Sequence, residues 1–201
     1  VNDMIIERIR AFNRFLSGLD DDSYRQREEL DLKCIEVGQF VSSPPEYGTE
    51  YSACFDFTAS IGNAEIKGYD SDNNKFTVKP TTAPDCNFKH IVIQAGDRVL
   101  IPTGFIFEFD PAYSLRIHPR SSLPWKHGVT IANCEGVVDA DYPNETFVML
   151  WNTSTKPFTV THGDRIAQGE LVPMERVNII REYGTFGNTT DRTGGLGSTG
   201  K

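Results

Sequence analysis

From Leu32 onward the chain alternates short β-branched and aromatic runs with Gly, Pro, Asn and Asp punctuation. Examples are Phe76-Thr77-Val78, His90-Ile91-Val92-Ile93, Arg98-Val99-Leu100-Ile101, Phe105-Ile106-Phe107-Glu108-Phe109, Phe147-Val148-Met149-Leu150-Trp151 and Phe158-Thr159-Val160. Each run is long enough for one strand and too short for a packed helix. Many short strands separated by turn signals predict an all-β sandwich, jelly roll or barrel. No long helical pattern separates the runs, which argues against a doubly wound α/β sheet. There is no internal repeat.

The two ends have a different texture. In residues 1–30, Ile5, Ile9, Phe12, Phe15, Leu16 and Leu19 recur at helical spacing. Asp20-Asp21-Asp22 interrupts that pattern, and a short charged helix through Leu30 can follow. This N-terminal helical extension either packs on its own domain or docks a protein partner. From Gly184 the chain is rich in Gly and Thr, with only Phe186 and Leu196 as large apolar residues. Such a flexible tail cannot fold alone and would order only on a ligand or partner. The polar, turn-rich stretch from Gly62 to Asn87, centred on Asp70-Ser71-Asp72-Asn73-Asn74, reads as a hairpin insertion with an exposed tip that could also dock a partner. The expected organisation is therefore a helical extension over 1–30, a β domain over 31–183 with an insertion at 62–87, and a tail over 184–201.

A chain of 201 residues has room for one domain with a proper core. No apolar run approaches a membrane span, and VNDMIIERIR mixes acids into its apolar residues, unlike a signal peptide. The net charge of −8 argues against a large nucleic-acid or anionic-membrane surface. An anionic small molecule stays open, because a few local arginines suffice for it. Cys34, Cys54, Cys86 and Cys134 are widely spaced with no C-x-x-C, and read as reduced thiols of a cytoplasmic protein. The four histidines show no i, i+4 pair and no cysteine partner, so no structural zinc site is expected.

Five segments carry residues suited to handling a triphosphate, which needs donors for phosphate oxygens, a neutralising cation and a carboxylate to deprotonate water. Ser52-Ala53-Cys54-Phe55-Asp56-Phe57 offers an Asp in a strand-like stretch, which on its own also fits a strand end. His118-Pro119-Arg120-Ser121-Ser122-Leu123 offers a guanidinium fork beside two hydroxyls, or simply a polar turn. In Asn133-Cys134-Glu135-Gly136-Val137-Val138-Asp139-Ala140-Asp141-Tyr142, Asp139 follows two valines, so it is expected at the end of a buried strand, a poor place for an idle charge. Asp139 and Asp141 would share one face if that strand continued. In isolation, turn caps explain them equally well. His162-Gly163-Asp164-Arg165-Ile166-Ala167-Gln168 reads as a turn running into a strand, with an amide at Gln168. Asp191 to Lys201 is a glycine-rich run with hydroxyls that suits closure over phosphates. It is not a Walker A loop, because no helix follows Lys201 in this sequence.

Taken in this order, the five segments resemble the five motifs of the trimeric dUTP diphosphatase (dUTPase) family. Ala95-Gly96-Asp97-Arg98-Val99-Leu100-Ile101-Pro102-Thr103-Gly104 also looks like the family's stretch before the second motif. The resemblance covers roughly Ala53 to Lys201, apart from the insertion. It implies a jelly-roll-like distorted β-barrel, a homotrimer with sites at subunit boundaries, and a tail that closes over a site built by two neighbours. The implied reaction is dUTP plus water to dUMP and pyrophosphate. Asp139 would activate the water that attacks the α-phosphate. Tyr142 would stack under the deoxyribose, and Asn133 with the backbone of the following hairpin, Val138 included, would read the uracil. Arg120, Ser121, Ser122 and Gln168 would bind phosphates. Arg192, Gly195, Leu196, Gly197, Ser198 and Thr199 would cover the substrate from the tail, with Lys201 as a substitute for Arg192. Mg²⁺ would be held mostly by phosphate oxygens, with Asp56 acting through its waters.

The sequence departs from the family pattern at several places. Leu196 stands where an aromatic is usual, and Glu135 brings a carboxylate close to the base-reading hairpin. These two motivate the same hydrolysis on dCTP or a modified dUTP as an alternative. A dCTP deaminase also carries Arg-Ser-Ser-Leu, but this chain has Trp125 and Met149 where deaminases carry an Arg and the catalytic Glu. A purely regulatory, protein-binding role is the remaining alternative.

Overall fold

The computed structural model describes residues 30–37, 40–82 and 87–184. The predicted N-terminal helix and the glycine-rich tail, including Arg192, Gly195, Leu196, Gly197, Ser198 and Thr199, lie outside the described residues.

Strands dominate what is described. They are β1 (Lys33–Glu36), β2 (Glu46–Tyr47), β3 (Phe55–Thr58), β4 (Ile66–Tyr69), β5 (Lys75–Val78), β6 (Thr81–Thr82), β7 (Lys89–Ile93) and β8 (Arg98–Pro102). They continue with β9 (Phe105–Glu108), β10 (Tyr113–His118), β11 (Val129–Ile131), β12 (Gly136–Val138), β13 (Phe147–Asn152), β14 (Phe158–Thr161) and β15 (Arg165–Pro173). One short helix, α1 (Ser122–His127), sits between β10 and β11.

The strands form two five-stranded sheets, in the orders β12-β10-β15-β3-β2 and β11-β13-β8-β4-β5, with smaller sheets β14-β7-β6 and β1-β9. Every pairing is antiparallel. That suits sheets with one wet face, and the burial agrees. β13 alternates exposed and buried from Phe147 to Asn152, and β4 and β8 alternate likewise. The inward residues, among them Phe57, Phe105, Ile101, Leu115, Leu150 and Ile166, join one core cluster. Each such side chain contributes about 1.5–3 kcal/mol by leaving water.

The expected hairpin within 62–87 forms β4 and β5, in register from Ile66 opposite Val78 to Tyr69 opposite Lys75. Its tip is an Asx turn: Asp70 Oδ1 accepts from the backbone N–H groups of Asp72 (2.9 Å) and Asn74 (2.8 Å). β4 also ladders to β8, so this hairpin extends the second sheet.

Two central strands of the first sheet position the polar clusters. β10, YSLRIH, lies between β12 and β15, and β15 lies between β10 and β3. Gly169 allows this close packing, because a side chain there would meet Phe57 and the Arg116 carbonyl.

Candidate active site

Register brings His118, Gln168 and Asp56 into one row. His118 pairs with Gln168 across β10 and β15, and Gln168 pairs with Asp56 across β15 and β3. Directly opposed residues of neighbouring strands share a face, so three residues distant in sequence line one surface. Pro119 then ends β10, and the chain turns through Arg120 and Ser121 into α1. The Arg120 carbonyl accepts from Leu123 N–H (3.1 Å) and the Ser121 carbonyl from Trp125 N–H (3.3 Å). The segment that reads as a polar turn thus continues into six residues of helix, stopped by Gly128 at φ 65°. The Ser121 side chain makes no capping bond and is exposed.

The loop is fastened back onto the row. Gln168 Nε2 donates to the Pro119 carbonyl at 3.1 Å. Arg120 Nε lies 2.7 Å from Asp56 Oδ1, and Arg165 Nη1 lies 3.1 Å from Asp56 Oδ2. Arg120 Nη1 donates to the Arg165 carbonyl at 3.3 Å. Asp56 and Arg120 are mostly shielded, with 16% and 20% of their side chains exposed. Two guanidinium groups share the Asp56 carboxylate, so this trio keeps a net positive charge suited to an oxyanion, while Glu46 on β2 lies opposite Asp56. Arg165 is the residue that sequence reasoning leaves unassigned here. A cation directly after the Gly163-Asp164 turn and three residues before Gln168 is its signal. Burial, and then the charges of Glu170 and Asp56, hold the Cys54 thiol above its ordinary range.

The Asn133–Tyr142 segment has a different setting from the one expected. β12 is an edge strand of three residues, paired to β10 with Val138 opposite Leu115 and Gly136 opposite Ile117. Only Val138 of this strand is buried; Val137 is 51% exposed. The strand ends before Asp139, which is exposed, and Tyr142 N–H closes a turn onto the Asp139 carbonyl at 3.0 Å. The expectation of a buried strand end with Asp139 and Asp141 on one extended face is therefore corrected. An edge strand has one side without a neighbour, and the turn destroys the alternation. Asn133 and Tyr142 are also exposed. Cys134, between Asn133 and Glu135, takes φ 62°, a region that costs a side-chain-bearing residue about 1–2 kcal/mol.

The Glu135 side chain turns toward β10 rather than along its own hairpin. Its Oε2 lies 2.8 Å from Arg116 Nη1, and its Oε1 lies 3.7 Å from His118 Nδ1, both on β10.

Asp139 and the Asp56 row sit toward opposite ends of β10, whereas Glu135 lies beside His118. The register carries Asp139 to the level of Ser114, while the Asp56 row begins at His118. That is four residues, about 13 Å at roughly 3.3 Å per residue, and Arg120 lies further on.

Among the described residues, no group of three His, Cys, Asp or Glu side chains could hold a metal ion. The described cysteines, Cys34, Cys54 and Cys134, are free. No helix among the described residues is long and apolar enough to cross a membrane.

Comparison with known proteins agrees with this architecture. The family model described as dUTPase matches residues 86–200. The deoxyuridine 5'-triphosphate nucleotidohydrolase of Bartonella bacilliformis is 32% identical over 194 residues, covering 90% of this chain and 96% of the relative. The solved dUTPase of Staphylococcus bacteriophage 80alpha, with dUPNHPP, superposes with a TM-score of 0.60 at 16% identity, over 85% of this chain and 99% of that one. A dUTPase of phage phi11 of S. aureus, solved with a structural Mg(II) ion, superposes with a TM-score of 0.56 at 14% identity, over 77% and 99% of the two chains. Both structural likenesses concern the fold. The match of the family model over more than half of the sequence, with the near full-length Bartonella relative, settles the membership: the chain belongs to the dUTPase family.

Proposed function

We propose that this chain hydrolyses dUTP to dUMP and pyrophosphate. The observation that carries the reading is the row His118-Gln168-Asp56 with Arg120 and Arg165 folded onto it. It supplies an oxyanion site of fixed geometry, in a chain of this family. Arg120, Arg165, Ser121, Ser122 and Gln168 bind the phosphates. Asn133 and the backbone through Val138 read the uracil, and Tyr142 packs under the sugar. Asp139 takes a proton from water as the water oxygen attacks the α-phosphorus. The bond from that phosphorus to the bridging oxygen breaks, and pyrophosphate leaves with the electron pair. The tail residues Arg192, Gly195, Leu196, Gly197, Ser198 and Thr199 cover the bound substrate.

The donor set fits Mg²⁺ carried in on the triphosphate. Both Asp56 oxygens already accept from guanidinium groups, so Asp56 suits contact through a metal-bound water more than direct ligation. Mg²⁺ dehydrates reluctantly, which favours that arrangement. When bound, the ion neutralises triphosphate charge.

The reading includes a homotrimer of jelly-roll-like subunits. A general base must come within hydrogen-bond reach of its water. The roughly 13 Å or more along β10 between Asp139 and the Asp56 row favours a site completed by a second copy. The segment after β15 points the same way, since Val177, Ile179 and Ile180 are 70–88% exposed. Among the described residues, the free thiols of Cys34, Cys54 and Cys134 fit a cytoplasmic setting.

The test is kcat/KM for pyrophosphate release from dUTP, dCTP, dTTP and UTP. The proposal expects dUTP to lead each of the others. A preference for dCTP would overturn the substrate assignment.

A further inference from the structure

The base-reading hairpin has slender support from its own ladder. β12 contributes three pairs to β10 and, among the described residues, has no neighbour on its other side. The turn before it is held by Cys134 N–H to the Ile131 carbonyl at 3.3 Å and Glu135 N–H to the Asn133 carbonyl at 2.6 Å, with Cys134 at positive φ. What crosses from this turn to the body of the sheet is the Glu135 side chain. It meets Arg116 at 2.8 Å and faces the His118 ring at 3.7 Å. Arg116 is itself oriented by a hydrogen bond from Nε to Ser114 Oγ at 3.0 Å. On the far side of His118, Nε2 lies 3.3 Å from Glu170 Oε1 on β15. The Arg116–Glu135 ion pair therefore ties the hairpin to β10, with the His118 ring beside it and, among the described residues, no hydrogen bond made by His118 Nε2.

We infer that Glu135 and Arg116 are positioning residues for the pyrimidine: their ion pair fixes the hairpin that carries Asn133 against β10. The inference rests on the reading of that hairpin as the base site. It gives a carboxylate beside the base pocket a role other than contacting the base. Arg116 takes the charge, so Glu135 is oriented away from the substrate.

The test uses the full chain and steady-state kinetics with dUTP and dCTP. The variants are Glu135→Ala, Arg116→Ala, their double, Arg116→Lys and Asn133→Ala. Each single alanine should raise KM for dUTP about three- to tenfold with kcat within about twofold, as coupled polar pairs do. The double should be no worse than either single, because both remove one interaction. Arg116→Lys keeps the charge but loses the Nε–H that Ser114 orients, so its KM should fall between those of wild type and Arg116→Ala. The dUTP preference over dCTP should fall with the same factor. Three results overturn the inference. If Asn133→Ala raises KM while both single alanines leave it unchanged, the base site stands and the clasp does not. If Glu135→Ala acts and Arg116→Ala does not, Glu135 touches substrate directly. If Asn133→Ala is also silent, the base-site reading itself falls and takes the clasp with it.

Discussion

Gly169 sits beside Gln168 in β15, the strand that joins His118 to Asp56, and replacing it with alanine should disturb both stability and activity. A Cβ at Gly169 would lie 2.5 Å from Phe57 Cε2, 3.1 Å from Phe57 Cζ and 2.8 Å from the Arg116 carbonyl oxygen. Carbon atoms settle at about 3.5–4.0 Å, so the ring would have to retreat by roughly 1 Å. Phe57 is 1% exposed and packs edge-on against Phe55 and Phe107, with ring centroids 5.5 and 5.6 Å away. The second obstacle is backbone on β10, so no single rotamer change relieves both. Adding a methyl to a filled core costs about 1–3 kcal/mol. With two rigid neighbours, Gly169→Ala belongs at the upper end, about 2–3 kcal/mol, or roughly 5–10 °C in Tm for a chain of this size. Urea unfolding measures it, with Gly163→Ala as the control. Gly163 has φ 88° and nothing within 4 Å of its Cβ, so the control carries only a backbone penalty of about 1 kcal/mol. Phe57→Leu in the Gly169→Ala background should recover part of the loss. Equal destabilisation by the two alanines would refute the packing argument. So would a Gly169→Ala chain whose kcat/KM falls no further than that of Gly163→Ala.

Other consequences attach to single residues. Burial holds the Glu145 carboxyl above its usual range, while Oε1 accepts the Gly104 N–H at 2.9 Å. The native state therefore takes up this proton before the unfolded chain does, and the penalty for ionised Glu145 is present at neutral pH and relieved as pH falls through the folded value. Glu145→Gln should raise the urea midpoint at pH 7, and its advantage over wild type should shrink toward pH 4. Cys134→Gly should leave the turn intact and raise stability by about 0.5–1 kcal/mol, because it removes the cost of φ 62° in a side-chain-bearing residue; an unchanged or lower midpoint counts against that reading. Removing residues 185–201 deletes no described strand, so circular dichroism and Tm should hold. Turnover of dUTP should drop by about two orders of magnitude or more, through lost closure over the phosphates.

Much of the fold is legible in the sequence because its signals are local. The runs at 98–101, 105–109 and 147–151 alternate or punctuate as strands do, and β8, β9 and β13 form there. β10 is harder to see. YSLRIH carries Arg116 and His118 among its apolar residues, and Arg116 is met there by Glu135 from the β12 hairpin. The row His118-Gln168-Asp56 depends on register, which brings Asp56 and Gln168 together across 112 positions. No local pattern encodes such a pairing; only the ordered set of motifs suggests it. The two valines before Asp139 predict burial, but burial of a strand end is decided by its neighbours, and β12 has one. In the sequence Glu135 reads as a threat to base selectivity, because its partner, Arg116, is nineteen residues away.

The proposed role of Asp139 as the base that activates water is tested with Asp139→Asn, assayed by pyrophosphate release from dUTP alongside binding of a non-hydrolysable analogue. Asp139 is exposed at the end of an edge strand, so the substitution should leave Tm and nucleotide binding close to wild type. An amide cannot accept the proton from water, and loss of a general base costs typically about 10²–10⁴ in rate. A loss of that order or greater in kcat, with affinity retained, is the expected result. An Asp139→Asn chain that turns over dUTP at the wild-type rate would contradict the assignment of Asp139.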